Sequence, residues 1–232
     1  MLRAVYLIPL VSFIFLCASA QKPDDNLSEW TRDFGIDKSD LSSTGSNPYF
    51  ILEPGYQLVF EDEDAQLIIT VLNETKIVDQ VETRVVEERE SEKGKLVEIS
   101  RNYFAISKST NSVFYFGEDC DIYNSKGAVV SHEGGWLAGV DSVEAGLMMP
   151  GLPLLGARYY QEIAPGVAMD RAEIVSMSDK IKVPAGNFEN VLKIEETTPL
   201  EPSEKEYKLY ARGIGLLKDG SLELVQYSFV GK

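Results

Sequence analysis

The stretch Tyr115–Trp136 reads YFGEDCDIYNSKGAVVSHEGGW. It holds Cys120, the one cysteine besides Cys17, and His132, the chain's only histidine. Glu118, Asp119, Asp121 and Glu133 surround them. Two chemistries suit these residue types. Glu118, Cys120 and His132 could ligate a transition metal, which takes N and S donors. A structural zinc site needs four such ligands and a catalytic one at least three, so the local set is sparse. Alternatively, Cys120 and His132 could form a nucleophile–base pair. That needs a thiol whose pKa is depressed by nearby positive charge. Aromatics and carboxylates around Cys120 act in the opposite direction.

The element that must position these groups is a hairpin. Ser125-Lys126-Gly127 fits a three-residue loop, a type I turn followed by a left-handed glycine. With that loop, Cys120 falls directly opposite His132, at a Cβ separation of ~4.5–5.5 Å. Alternation then puts Cys120 on one face with Phe114, Phe116, Glu118 and Ile122, and Tyr115, Asp119, Asp121 and Tyr123 on the other. A single slip of register undoes this arrangement. The reading preferred here is a core-facing hairpin in which Cys120 acts as a small hydrophobe. An enzyme centred on Cys120 and His132 is the alternative.

Other chemistry-bearing clusters are weaker. Glu61-Asp62-Glu63-Asp64 reads as a solvated turn and lacks the spacing of an EF-hand loop. Glu87, Glu88, Glu90 and Glu92 read as a solvated hairpin tip. Glu162, Asp170 and Glu173 lie near Tyr159 and Tyr160. A carboxylate pair across a cleft could hydrolyse a glycoside, but nothing local indicates a cleft. There is no G-x-S-x-G elbow, H-E-x-x-H or P-loop. No cofactor is implied. Asn26-Leu27-Ser28 and Asn73-Glu74-Thr75 fit the N-glycosylation triplet.

The first twenty residues carry one charge, Arg3, then an apolar run from Ala4 to Leu16 and an Ala18-Ser19-Ala20 end. This is the pattern of a secretory signal peptide cleaved near Ala20-Gln21. The apolar run is shorter than the ~20 residues of a membrane span, and no later run predicts a transmembrane segment. The expected location is secreted or periplasmic. The whole chain of 232 residues has 22 Lys and Arg against 37 Asp and Glu, a net charge of −15 at pH 7. Such acidity argues against nucleic acid, whose phosphates demand basic side chains, and against anionic lipid surfaces. A single cysteine after cleavage excludes an internal disulfide framework.

Residues 21–48 read as a tail, a short helix carrying Leu27, Trp30 and Phe34 at helical spacing, and a linker over Ile36–Pro48. Residues 49–232 read as one β-rich domain. From Tyr49 the period becomes two, and strand-like runs alternate with turn residues. Three connections, Glu92-Lys93-Gly94, Ser125-Lys126-Gly127 and Lys218-Asp219-Gly220, fit the same three-residue hairpin loop. The predicted fold is all-β and mainly antiparallel, a strongly curved sheet or a barrel or half-barrel. Within it, Ala145–Tyr160 (AGLMMPGLPLLGARYY) is apolar but rich in Gly and Pro. Prolines cannot serve a central ladder, so this segment is expected to cap the barrel mouth or line a pocket.

A series of motifs carries a resemblance. FYFGED, HEGGWLAGVDSVEAGLMMPGLPLLGARYYQEIAPGVAMDRAEIVS, VPAGNF, EETTPLEP, YARGIGLLK and LELV occur in that order. Over roughly Val71–Phe229 the chain resembles an uncharacterised family of secreted or surface-associated bacterial proteins. Cys120 departs from that pattern. The C-terminal part also resembles periplasmic half-barrel domains that carry or sense lipid-linked molecules. That likeness implies a curved sheet around an apolar cavity. Pro184 and Gly186 suit a turn between strands, and Gly213 and Gly215 a bulge or bend.

These readings converge on an exported, non-enzymatic β domain that binds a lipid or other apolar or amphiphilic ligand, or serves as an envelope accessory. The ligand-contacting candidates are Trp136, Leu147, Met148, Met149, Leu152, Leu154, Tyr159 and Tyr160. A purely structural interaction protein with a filled interior is a further alternative.

Overall fold

The computed structural model describes residues 30–231. The signal-peptide expectation and Leu27 of the expected helix lie outside the described residues. The strands are β1 (Leu41–Ser42), β2 (Gly45–Asn47), β3 (Phe50–Leu52), β4 (Tyr56–Glu61), β5 (Ala65–Val78), β6 (Val81–Glu92), β7 (Lys95–Ser107), β8 (Val113–Tyr123) and β9 (Val129–Ser131). There follow β10 (Trp136–Leu137), β11 (Glu144–Met149), β12 (Arg158–Tyr160), β13 (Glu162–Ile163), β14 (Arg171–Val183), β15 (Gly186–Thr197), β16 (Glu206–Ala211), β17 (Gly215–Asp219) and β18 (Leu222–Phe229). Every pairing between these strands is antiparallel.

The main sheet runs β12-β14-β15-β16-β17-β18-β4-β5-β6-β7-β8-β11-β13. Its two ends are the same piece of chain. Tyr160 in β12 pairs with Arg171, Glu162 in β13 pairs with Ala145, and only Gln161 lies between them. The sheet thus curls into a nearly closed barrel. Backbones crowd at this seam, where a Cβ on Gly146 would stand 2.1 Å from the Gln161 carbonyl oxygen.

Turn chemistry explains the hairpins. The β5–β6 turn is Asp79-Gln80, with φ of 47° and 65° at the two residues, and Val78 pairs with Val81. That is the two-residue primed turn that matches strand twist. Asn73-Glu74-Thr75, the glycosylation triplet, lies inside β5, where the pairing is irregular between Val71 and Thr75. Glu92 pairs with Lys95 around Lys93-Gly94, and Asp219 with Leu222 around Gly220-Ser221. Both are two-residue loops, where three were expected. The Ser125-Lys126-Gly127 loop has the expected three residues, closed by Asn124 N–H donating to the Ala128 carbonyl at 3.0 Å. Gly213 lies in the β16–β17 turn, flanked by the paired Ala211 and Gly215, and marks no bulge within one strand.

The N-terminal segment differs from its expectation. Residues 30–34 are not helical. Thr31 is extended, bridges Tyr159, and exchanges hydrogen bonds with Arg158 and Tyr160. The expected linker is packed structure. A 3₁₀ turn over Lys38–Asp40 leads into β1, which pairs with β7, and β2 pairs with β3. Phe34, Ile36 and Leu41 cover Val85, Tyr103, Ala105, Phe114 and Phe116 on the outer face of β6–β8. Among the described residues, no helix is long and apolar enough to cross a membrane.

The barrel interior holds the larger core, including Phe60, Val71, Val86, Phe104, Tyr115, Ile174, Ile194 and Leu224. The outer face is charged. Arg101 lies 3.2 Å from Glu87 and 3.7 Å from Asp121, and Arg158 lies 2.9 Å from Glu173. This is the reverse of a lipid-facing barrel, whose outer band is apolar.

Candidate functional site

The hairpin that could have carried metal or nucleophile chemistry is divided by one residue. Phe104 pairs with Tyr115 and Asn102 with Glu118, so β8 spends three residues where β7 spends two. The extra residue is a bulge at Gly117, whose φ is +133° and where a Cβ would stand 2.2 Å from the Trp136 carbonyl oxygen. The bulge inverts the alternation. Phe114 and Phe116 face outward beneath the N-terminal segment, while Tyr115, Glu118 and Cys120 face the lumen. The expected common face of Phe114, Phe116 and Cys120 is therefore corrected.

The Cys120–His132 contact is not made. The His132 side chain is 76 % exposed, with Nδ1 2.8 Å from Asp121 Oδ1 and 3.1 Å from the Cys120 carbonyl oxygen. The Cys120 thiol is buried and pushed up to about 12, by burial first and then by Glu98. A thiol so protonated is not an activated nucleophile. Glu118, Cys120 and His132 all border one open groove, together with Asp121 and Trp136. Among the described residues, no three of His, Cys, Asp and Glu converge to hold a metal ion.

The Ala145–Tyr160 segment also divides. Glu144–Met149 is a ladder strand, and the leucines of the loop beyond it lie in solvent, with Leu152 77 %, Leu154 61 % and Leu155 68 % exposed, while Pro153 is buried. The loop does not cap the lumen. Met149, Tyr159 and Tyr160 are buried core residues. Trp136 packs edge-on against Tyr115, 5.0 Å between ring centres. Leu147 packs between the two cores. Of the eight ligand candidates, Met148 is the one that borders the lumen's open space.

That space has two chambers in contact. An apolar one of about 100 Å³ is lined by residues including Phe50, Ile51, Ile69, Val86, Phe104 and Tyr210. A polar one of about 220 Å³ is lined by Glu88, Glu98, Ser100, Asn102, Glu118, Gln161, Glu162, Asp170 and Glu196 among others. Glu88, Phe104, Met148 and Lys208 border both. The β2–β3 hairpin lies over the apolar chamber. It is held by fully buried Asn47, whose amide donates to the Asn111 carbonyl at 2.8 Å and the Pro150 carbonyl at 3.0 Å. Gly213 N–H donates to the Pro48 carbonyl at 2.7 Å.

Strand alternation supplies the carboxylates. Glu88 follows Val86 on β6, and Glu98, Ser100 and Asn102 precede Phe104 on β7. Glu196 follows Ile194 on β15. Lys208 balances a fraction of them, 2.9 Å from Glu196 and 3.5 Å from Asp219. Glu88 and Glu118 are raised from the ordinary 4.5 to about 7, and burial is the main cause in each. Glu162 is raised well above the usual range by burial and by Asp170, and Asp170 is itself raised by burial. These side chains border the lumen and protein packs around them, so desolvation dominates their titration.

Sequence reasoning read Glu88 as solvated and placed Glu118 only in a metal set. Glu162 and Asp170 were singled out, but their partners come from strands far away in sequence. Comparisons with protein-family models, with curated proteins and with solved structures found no match for the chain. The class its geometry defines is a nearly closed antiparallel β-barrel, charged outside, with a lumen that passes from apolar to acidic.

Proposed function

We propose that this chain is an exported, non-enzymatic β domain that receives a small amphiphilic ligand in its barrel lumen. The observation that carries the reading is the contact of an apolar chamber with a polar one across Glu88, Phe104, Met148 and Lys208. Ligand sites are concave and largely apolar, with a few placed polar groups, and this lumen has both parts. Together the chambers lie near the lower end of ligand-pocket volumes, roughly 300–1,000 Å³. The fitting ligand is therefore small, a polar head with a short apolar arm. Export is supported by the leader pattern of the first twenty residues, and the resemblance to secreted bacterial proteins points the same way.

The test is native mass spectrometry on the chain purified from its own host without chelator. Extra mass that organic extraction removes supports the reading. A bare-chain mass, together with no binding of any small amphiphile in titration, overturns it.

A further inference from the structure

We infer that the ligand's polar head is an organic cation, an amine seated in the Glu-lined chamber with its apolar arm beneath Phe50 and Ile51. This deepens the binding reading above and rests on it. Three observations argue for it.

First, the chamber's charges do not balance. Lys208 is engaged by Glu196 and Asp219. Glu88, Glu98, Glu118, Glu162 and Asp170 line the same space and make no direct ion pair among the described residues; Lys208, the one cation on that wall, acts on Glu88, Glu162 and Asp170 only at longer range. Confined like charges of this kind are stabilised by an opposite charge brought among them. Anionic and neutral heads gain nothing comparable.

Second, the chamber wall presents hydrogen-bonding capacity that the fold itself leaves unused. Ser100 is 6 % exposed and faces the chamber, and its hydroxyl has no hydrogen-bond partner among the described residues. Buried polar groups are ordinarily satisfied, so this hydroxyl marks space that a donor-rich head can fill.

Third, the carboxylates line a volume and do not meet at a point. No three of them are close enough to ligate one metal ion, and a calcium ion needs six to eight oxygens at 2.3–2.6 Å. An ammonium group with up to three N–H donors and an attached arm matches a spread-out wall. Glu88 and Glu118 are partly protonated near neutrality, so a cation that ionises them must expel protons on binding.

The experiment is isothermal titration of the folded chain at pH 7 with three matched probes, n-hexylamine, 1-hexanol and hexanoate. The amine titration is repeated in two buffers of different ionisation enthalpy. The expected result is hexylamine at least tenfold tighter than hexanol, hexanoate weaker still, and net proton release with the amine. Glu118→Gln and, as a second variant, Glu98→Gln should each weaken the amine severalfold and leave hexanol binding within twofold. Circular dichroism checks that each variant is folded. Hexanol or hexanoate binding as tightly as the amine overturns the cation proposal but leaves the binding reading standing. Displacement of the amine by equimolar calcium chloride also overturns it, in favour of a metal. Failure of all three probes removes the binding reading itself.

Discussion

Lys208 and Glu196 meet inside the barrel, with the ammonium 2.9 Å from one carboxylate oxygen while Gln161 Nε2 donates to the other at 2.9 Å. Gln161 is also the single residue between the two closing strands, so the ion pair is tied to the seam. Breaking one partner of a buried pair is more harmful than replacing both. Lys208→Met should cost about 3 kcal/mol at pH 8. Urea unfolding at pH 8 measures this, and an unchanged midpoint contradicts the internal placement of the pair.

The lumen carboxylates predict the pH profile of the unliganded protein. Glu88 and Glu118 have folded-state values near 7 against an ordinary 4.5. Between these values the folded state holds protons that the unfolded state has released. Their contribution is therefore fully present below the ordinary carboxylate value and is lost as pH rises through about 7. The thermal midpoint should be several degrees higher at pH 5.5 than at pH 8, at roughly 2–4 °C per kcal/mol for a chain of this size. Asp40 and Asp119 are held below the ordinary range by hydrogen bonds, and their loss acts only at more acid pH. Glu88→Gln should flatten the profile between pH 6 and 8. A midpoint that rises with pH across this window contradicts the account.

Cys120 separates binding from thiol catalysis. At pH 8 its thiolate fraction is lower than that of an ordinary cysteine by a factor on the order of a thousand, given a pKa of about 12 against the free value. A disulfide reagent should label it slowly in the folded state and rapidly in denaturant. His132→Ala removes an exposed contact to Asp121 and should change stability by less than about 0.5 kcal/mol. Rapid labelling of the folded chain that vanishes in His132→Ala would mean a true Cys–His pair.

The loop after β11 should be indifferent to polarity. Changing Leu152, Leu154 and Leu155 together to Ser removes exposed apolar surface and should shift stability by no more than about 1 kcal/mol. By contrast, Asn47→Ala leaves two carbonyls without their donor beneath the covering hairpin and should cost about 1–3 kcal/mol. If the leucine triple variant is the more damaging of the two, the loop is a cap and the hairpin is not.

The alternating strands, the Ser125-Lys126-Gly127 turn and the curved all-β fold were legible because period-two patterning and turn chemistry are local. The bulge at Gly117 was not. Counting faces by alternation assumes no inserted residue; the one local signal was the glycine itself, since Gly117 inside a strand pattern marks a bulge or a close backbone approach. The lumen carboxylates were hidden for another reason. Glu87 and Glu88 are chemically alike, and one faces solvent while the other faces the lumen only because β12 and β13 close the sheet. Met148 could be chosen from composition, but nothing local separates it from Met149, which the same strand sends into the core. Leu152 and Leu154 misled because an apolar loop was assumed to seek cover, while Tyr49–Leu52, read as a plain strand, provides it.

Methyl NMR of methionine-labelled protein, titrated with n-hexylamine, tests the lumen site most directly. Met148 borders both chambers, Met149 is wholly buried, and Met177 is exposed on β14. Binding in the lumen should shift the Met148 methyl in a saturable way and leave Met177 unmoved. Saturable shifts at Met177 with Met148 unmoved, or no saturable shift at any methionine, would contradict it.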